Sequence, residues 1–307
     1  MKKSILAAIG GGIVLAIIAG LWFTKIVARE SDIEQETVSK LKMIASFYPL
    51  YEFSKNVGGE KAEVSSFVPV GIEPHDWDPS SGDILRLKET GIFVYNGAGF
   101  EPFVDQLIDS GEYSNVIFVD SAIGIDLIQH DSEYDPHVWL DPILAKHQVT
   151  TIKDAMIQAD PQNSQYYETN ANSYSVKLDE LDAKIRFGLS NCKKDTFMPF
   201  HDAFTYFSER YGLKVFSLSG IAPESEATGA EIKEFIDFVK ENGITVIFAE
   251  ELIDPRLAEV LADEAGVQVM ILSPLEGLTQ QDTVAGKNYI SKMEENLENL
   301  RVALDCQ

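Results

Sequence analysis

Between Pro161 and about Leu189 the chain carries no strand signal, and this unbroken helical stretch constrains the fold more than any other feature. Tyr166, Tyr167, Tyr174, Leu178, Leu181 and Ile185 recur at helical spacing, as a buried helix face requires. Asp160-Pro161 supplies a start, because a proline in the first turn gives up an N–H that has no partner there anyway. At ~1.5 Å per residue the helix reaches about 40 Å. On both sides the texture changes. Met43–Phe47, Val64–Val68, Ile92–Tyr95 and Val116–Val119 are short apolar runs bounded by Gly, Pro, Asn or Asp, and Leu50–Val57, Ser80–Glu89 and Pro102–Ser110 between them read as helices. Beyond the long helix, Thr196–Met198, Lys214–Ser217, Val246–Ala249 and Val267–Leu272 read as strands. Gly229–Asn242, Asp254–Glu264 and Ala285–Ala303 read as helices, with Gly243 and Gly266 where C-caps belong. Strands alternating with helices predict parallel sheets with helical crossovers. The expected fold is α/β: two β/α lobes with four-stranded parallel sheets, residues 41–160 and 191–307, joined by a backbone helix over 161–190.

The N-terminal 40 residues set the compartment. Lys2 and Lys3 precede an apolar run from Ile5 to Phe23, and Lys25 and Arg29 follow it. About 19 residues at ~1.5 Å each nearly match a ~30 Å hydrocarbon core. The Ile26-Val27-Ala28 exit is a poor small-x-small cleavage site. Residues 1–29 are therefore expected to be an uncleaved signal anchor, with a cleaved signal as the alternative. No cysteine follows the run, which argues against a lipid-modified N-terminus. Residues 30–40, with Glu30, Asp32, Glu34 and Glu36, read as an acidic tether. Everything after it is expected outside the cytoplasm. There an even pair of cysteines, Cys192 and Cys306, reads as a disulfide, with two buried free thiols as the plain alternative. The bridge would close more than 100 residues, nominally worth about 4–5 kcal/mol in the chain-entropy model. A net charge of −24, with no Lys/Arg-rich run to offset it, excludes a nucleic-acid partner.

Of five histidines, three have unusual neighbours. They lie in Glu73-Pro-His75-Asp-Trp-Asp78-Pro, Asp135-Pro-His137-Val-Trp-Leu-Asp141-Pro and Pro199-Phe-His201-Asp202-Ala-Phe. His75 and His201 follow expected strands, and His137 lies in the loop region after the fourth. Loops at the carboxyl ends of an open α/β sheet surround its ligand crevice, so the three can converge. Neutral imidazoles suit zinc, which prefers four-coordinate shells. Each would need its second ring nitrogen held, and Asp76, Asp78, Asp135, Asp141 and Asp202 stand close enough in sequence to do so. The plain reading of any single one is a hydrogen-bonded loop histidine. There is no HExxH and no CxxC, so spacing alone leaves both readings open.

A resemblance decides between them. Pro74-His75-Asp-Trp-Asp-Pro-Ser80, Val94-Tyr-Asn-Gly-Ala-Gly-Phe-Glu101, Asp135-Pro-His137-Val-Trp-Leu-Asp-Pro142 and Phe200-His201-Asp-Ala-Phe-Thr-Tyr-Phe207 are similar to the zinc- and manganese-binding receptors of ABC metal importers. Leu218-Ser-Gly-Ile-Ala-Pro-Glu224, Ile247-Phe-Ala-Glu250 and Leu272-Ser-Pro-Leu-Glu276 continue it in order, over roughly residues 42–304. The resemblance implies a metal site between two lobes bridged by a rigid helix, and an ABC-type permease as partner for a monomeric receptor. It makes His75, His137 and His201 ligands. Manganese-type members commonly carry Glu where His201 stands, and a third imidazole favours zinc over manganese. Many relatives place Asp where this chain has Ser273. The Pro-Leu-Glu of a zinc subset makes Glu276 the fourth ligand here, with water or Glu250 as alternatives. The His- and acid-rich loop of many zinc members is reduced to Gln129-His130-Asp131-Ser-Glu133-Tyr134, read here as an exposed turn. His147 is read as a solvated helix residue.

The expected function is thus an extracytoplasmic substrate-binding protein, not an enzyme, that captures zinc and delivers it to the permease. A manganese or iron receptor of the same family is the alternative. An extracytoplasmic zinc hydrolase would use the three histidines plus water, with Glu276 as general base. A surface adhesin or metal chaperone on the same fold is the third class.

Overall fold

The computed structural model describes residues 40–130, 133–221 and 228–307. The apolar run, the acidic stretch up to residue 39, Asp131, Ser132 and residues 222–227, which include the end of the Leu218–Glu224 motif, lie outside the described residues. Among those described, no helix is long and apolar enough to cross a membrane.

In the first lobe β1 (Leu41–Ala45), β2 (Ala62–Ser66), β3 (Ile92–Tyr95) and β4 (Ile117–Asp120) form one parallel sheet in the order β2-β1-β3-β4. Alternation along the strands sends successive side chains to opposite faces. Met43, Ala45, Ile92 and Val94 face α1 (Tyr48–Gly58) and α4 (Pro142–Ala159), meeting Leu50, Phe53, Val149, Ile152 and Met156. Ile44 and Phe93 point the other way, into a smaller cluster with Leu87, Val104 and Tyr113 around α2 (Ser81–Arg86) and α3 (Val104–Ser110). A two-residue antiparallel hairpin, β5 (Gln129–His130) and β6 (Glu133–Tyr134), precedes α4. His147 on α4 is half-buried, its Nε2 2.8 Å from the carbonyl oxygen of Ile123. It keeps part of its surface in solvent, as expected of a helix-face residue, and also ties down the loop at Ile123.

The long helix is α5 (Ser164–Leu189), 26 residues. Pro161–Asn163 forms a 3-10 turn that delays its start. Tyr167, Tyr174, Leu178, Leu181 and Ile185 are buried as their spacing requires. They belong to the same core cluster as α1 and α4 of the first lobe and as Tyr289, Met293, Leu297 and Leu300 of the last helix. One continuous core thus runs through both lobes.

The second lobe contains β7 (Thr196–Phe197), α6 (Thr205–Tyr211), β8 (Lys214–Val215), α7 (Gly229–Glu241), β9 (Val246–Ala249), α8 (Arg256–Ala265), β10 (Gln268–Ile271), α9 (Gln280–Val284) and α10 (Tyr289–Ala303). Its sheet is two parallel pairs, β7 with β8 and β9 with β10. The Phe248 N–H donates to the Met198 carbonyl at 2.9 Å and joins them in the order β8-β7-β9-β10. The expected four strands are present, but β7 is short because Pro199 follows Met198 and has no N–H to extend the ladder. Gly266 caps α8 at φ 73°, and Gly243 follows α7 at φ 60°. Cys192, just past α5, and Cys306, just past α10, bring their sulfurs to 1.94 Å, a bonded pair 114 residues apart.

Candidate metal centre

Four loops bring four side chains together, each loop leaving the carboxyl end of a parallel strand. His75 follows β2, His137 follows β4 and the hairpin, His201 follows β7, and Glu276 follows β10. Two come from each lobe. Glu276 Oε1 lies 3.2 Å from His75 Nε2, 3.3 Å from His137 Nε2 and 3.5 Å from His201 Nε2. The Nε2 atoms of His137 and His201 are 3.4 Å apart, and ligand-capable atoms of all four lie within 4.8 Å of one another. A tetrahedral zinc with bonds of ~2.0–2.1 Å has edges of about 3.3–3.4 Å. The three Glu276–histidine separations and the His137–His201 separation match those edges.

The ring orientations are held from behind. The Asp135 carboxylate accepts from the His137 backbone N–H at 2.9 Å and stands 2.8 Å from Nδ1. Glu250 does the same for His201, 3.3 Å from the backbone N–H and 2.6 Å from Nδ1. With Nδ1 committed to a carboxylate, Nε2 is the nitrogen left for an ion. Glu73 accepts from the His75 N–H at 3.2 Å. Asn96 donates its side-chain amide to the Pro136 carbonyl at 2.8 Å and so fixes the His137 loop. Glu101 in turn accepts from the N–H groups of Asn96 and Gly97 at 2.8 and 3.2 Å. Gly97 has φ 83°, and a Cβ there would sit 2.2 Å from Asp120 Oδ1, so only glycine fits this close approach.

The charges are linked. Burial alone would lower the His137 imidazole, but the hydrogen bond and charge of Asp135, with help from Glu276, outweigh it and the pKa is raised. Burial opposes His201 in the same way, and the Glu250 and Glu276 carboxylates raise it well above the usual histidine value. Burial should raise Glu276, yet the charges of His75 and His201 hold it well below the carboxylate range. Glu73, buried and facing the Glu276 charge, is pushed up to about 10. The His137 and His201 imidazoles and the Glu276 carboxylate thus favour one another's charged forms. His137, His201 and Glu276 have no exposed side-chain surface, while His75 keeps 10%. His75 opens onto a cavity of about 580 Å³ lined also by Gly99, Phe100, Leu127, Glu133 and Tyr134.

Several sequence expectations change in detail. Asp135 holds its histidine as expected, but Glu250, not Asp202, holds His201. Asp141 instead caps α4 through the Ile143 N–H and pairs with Arg210 at 2.5 Å. Asp76 and Asp78 are exposed. Ser273 is turned toward Glu251, to which its hydroxyl donates. Glu73 and Asn96 were not singled out from the sequence. Glu250 had a readable signal, a carboxylate ending a strand whose four residues are all buried. Such a group needs a partner.

A family profile described as the periplasmic component A of a zinc-uptake complex matches residues 43–303. The chain is 34% identical over 280 residues to the high-affinity zinc uptake system protein ZnuA of Bacillus subtilis, covering 86% of this chain and 88% of that protein. It is 36% identical over 287 residues to the zinc-binding lipoprotein AdcA of Streptococcus pneumoniae. That match covers 89% of this chain but only 57% of AdcA, so the chain spans little more than half of that relative. The crystal structure of the Zn(II)-bound ZnuA-like domain of the same AdcA superposes with a TM-score of 0.79 at 38% identity. It covers 87% of this chain and 100% of that domain.

Proposed function

Because this chain belongs to the family of zinc-uptake component A receptors, we propose that it binds one zinc ion through His75, His137, His201 and Glu276 and hands it to an ABC-type permease. The zinc is cargo, and the chain is a receptor, not an enzyme. It works outside the cytoplasm, held to the membrane by the apolar run Ile5–Phe23. One observation carries the ligand set: Glu276 Oε1 stands 3.2–3.5 Å from the Nε2 atoms of three histidines drawn from both lobes, and all four donor atoms lie within 4.8 Å of one another.

Three imidazoles and one carboxylate suit zinc better than manganese, which favours carboxylate and water ligation. The hydrolase reading needs an open position for water and a free base. Glu276 is buried among the three Nε2 atoms, so the residue that would have to act as base fills the fourth position. Capture then consists of exchanging protons and hydration water for a preformed shell. Delivery requires loosening it from the side on which His75 is exposed.

The test is metal content and zinc titration of the full chain, purified without an affinity His-tag. One zinc per chain is expected. Alanine at His75, His137 or His201 should weaken binding by more than the ~10–100-fold typical of outer-shell changes. Unchanged affinity in all three variants would end this assignment, and a preference for manganese would overturn the weight given to His201.

A further inference from the structure

The turn that carries Glu276 is held by groups outside the His75–His137–His201–Glu276 cluster. Up to Leu272 the chain is paired with its neighbour strand, the Leu272 N–H donating to the Ala249 carbonyl at 3.0 Å. At Ser273 that partner is gone, and the side chain of Asn296 on α10 replaces it. Asn296 Oδ1 accepts from the Ser273 N–H at 2.8 Å, and Nδ2 donates to the Ser273 carbonyl at 2.7 Å. A carboxamide offers one donor and one acceptor side by side, as a peptide unit does, so Asn296 acts as a one-residue continuation of the sheet. One helical turn away, Asn299 donates to the Ile271 carbonyl at 2.8 Å.

Three further contacts fix the turn between Ser273 and Leu275. The Ser273 hydroxyl donates to Glu251 and accepts from the Leu275 N–H at 3.2 Å. The Lys292 ammonium, almost wholly buried, holds the Glu251 carboxylate at 3.0 Å. The Trp139 indole N–H, from the first lobe, donates to the Pro274 carbonyl at 2.7 Å. Leu275 is fully buried at φ 57°, a left-handed conformation that a leucine adopts only when its surroundings impose it. Glu276 is the next residue.

We infer that Asn296 is a positioning residue for the fourth zinc ligand. Its two hydrogen bonds to Ser273, backed by the Lys292–Glu251–Ser273 chain, set the left-handed turn that aims the Glu276 carboxylate at the three imidazoles. Asn296 acts on zinc only through Glu276, so this inference rests on the proposed ligand set. Without the clamp, Ser273 regains backbone freedom, the turn relaxes and Oε1 leaves its place. The histidines, mounted on other loops, stay where they are.

The experiment is a double-mutant cycle on the full chain, read by zinc affinity in competition with a chelator. Cobalt(II) absorption serves as a second readout of coordination. Glu276→Ala alone should weaken zinc binding and reduce the intensity of the tetrahedral cobalt bands. Asn296→Leu should weaken zinc 10–100-fold, the range for groups that orient a ligand, and shift the cobalt spectrum toward that of Glu276→Ala. In the Glu276→Ala background, Asn296→Leu should change affinity by less than about twofold, because the group it serves is already gone. Equal losses in both backgrounds would make Asn296 a general structural residue and overturn the inference. An unaltered affinity for Asn296→Leu beside a weakened Glu276→Ala would overturn it while leaving the ligand set intact. No effect of Glu276→Ala itself would remove the ligand reading and the inference with it. Should Asn296→Leu fail to fold, Asn296→Asp keeps the size and the acceptor, sets a carboxylate against the Ser273 carbonyl, and is expected to weaken zinc in the same background-dependent way.

Discussion

His137 and His201 each commit Nδ1 to a buried carboxylate, which fixes the nitrogen they offer and raises the pH at which a proton competes for it. Zinc binds neutral imidazole, so each ligand protonated in the metal-free state must lose its proton on binding. Both residues have pKa values raised above the ordinary ~6.5. Zinc affinity should therefore begin to fall while the pH is still above that value, and keep falling as the solution is acidified. Glu276 is depressed and stays ionised throughout that window. Calorimetric titration in buffers of different ionisation enthalpy should register protons released per zinc, more at pH 6.5 than at pH 8.5. The same shifts set the sign for stability. The raised histidines stabilise the metal-free fold fully below their unfolded pKa of ~6.5, and that contribution is lost as pH rises through their folded values. An affinity flat between pH 8.5 and 6, with no proton release, would contradict the histidine-dominated shell.

Among the elements, the long helix is the one whose sequence pattern translated most directly into structure. Tyr174, Leu178, Leu181 and Ile185 lie on one buried face because every contact they need recurs at the same period. Leu178 has no exposed surface, in a core shared by both lobes, so Leu178→Ala is expected to cost about 2–5 kcal/mol in denaturant unfolding. A loss below about 1 kcal/mol would mean the helix is not a strut between the lobes. A helix whose buried face packs against both lobes also resists bending, so apo and zinc-bound crystals should differ in the ligand loops more than in the angle between lobes. A rigid-body lobe rotation on binding would contradict that. The strands of the first lobe were legible for the same reason as the helix, being short apolar runs between turn residues. The short helices α6 and α9, of seven and five residues, were not read. The histidines could be read as a set because each sits in its own Pro- and Asp-marked loop. Glu250 and Asn296 could not be given their roles. Each acts on a residue distant in sequence, Glu250 at His201 and Asn296 at Ser273, and only the fold creates that adjacency.

For the molecule as a whole, a net charge of −24 favours cation approach but does not create the site, which is a local cluster of mostly buried side chains. The site joins two lobes, and among the described residues so do the shared core around α5, the hydrogen bond from Trp139 to Pro274, the hydrogen bond from the Tyr289 hydroxyl to the Trp139 carbonyl and the Asp141–Arg210 pair. The Cys192–Cys306 bond adds a property of another kind. It turns the second lobe, from the end of α5 through α10, into a covalent ring in which residues 192 and 306 are linked by two covalent paths, the 114-residue separation along the chain and the direct route across the sulfurs. A ring has to be opened twice before anything can leave it. One peptide bond cut anywhere between residues 193 and 305 should release no fragment. The nicked protein should run as a single species on a non-reducing gel and separate into two only after reduction. Two pieces without reductant would show that the ring is not closed. For a receptor exposed to proteases outside the cell membrane, the first cut would then be silent.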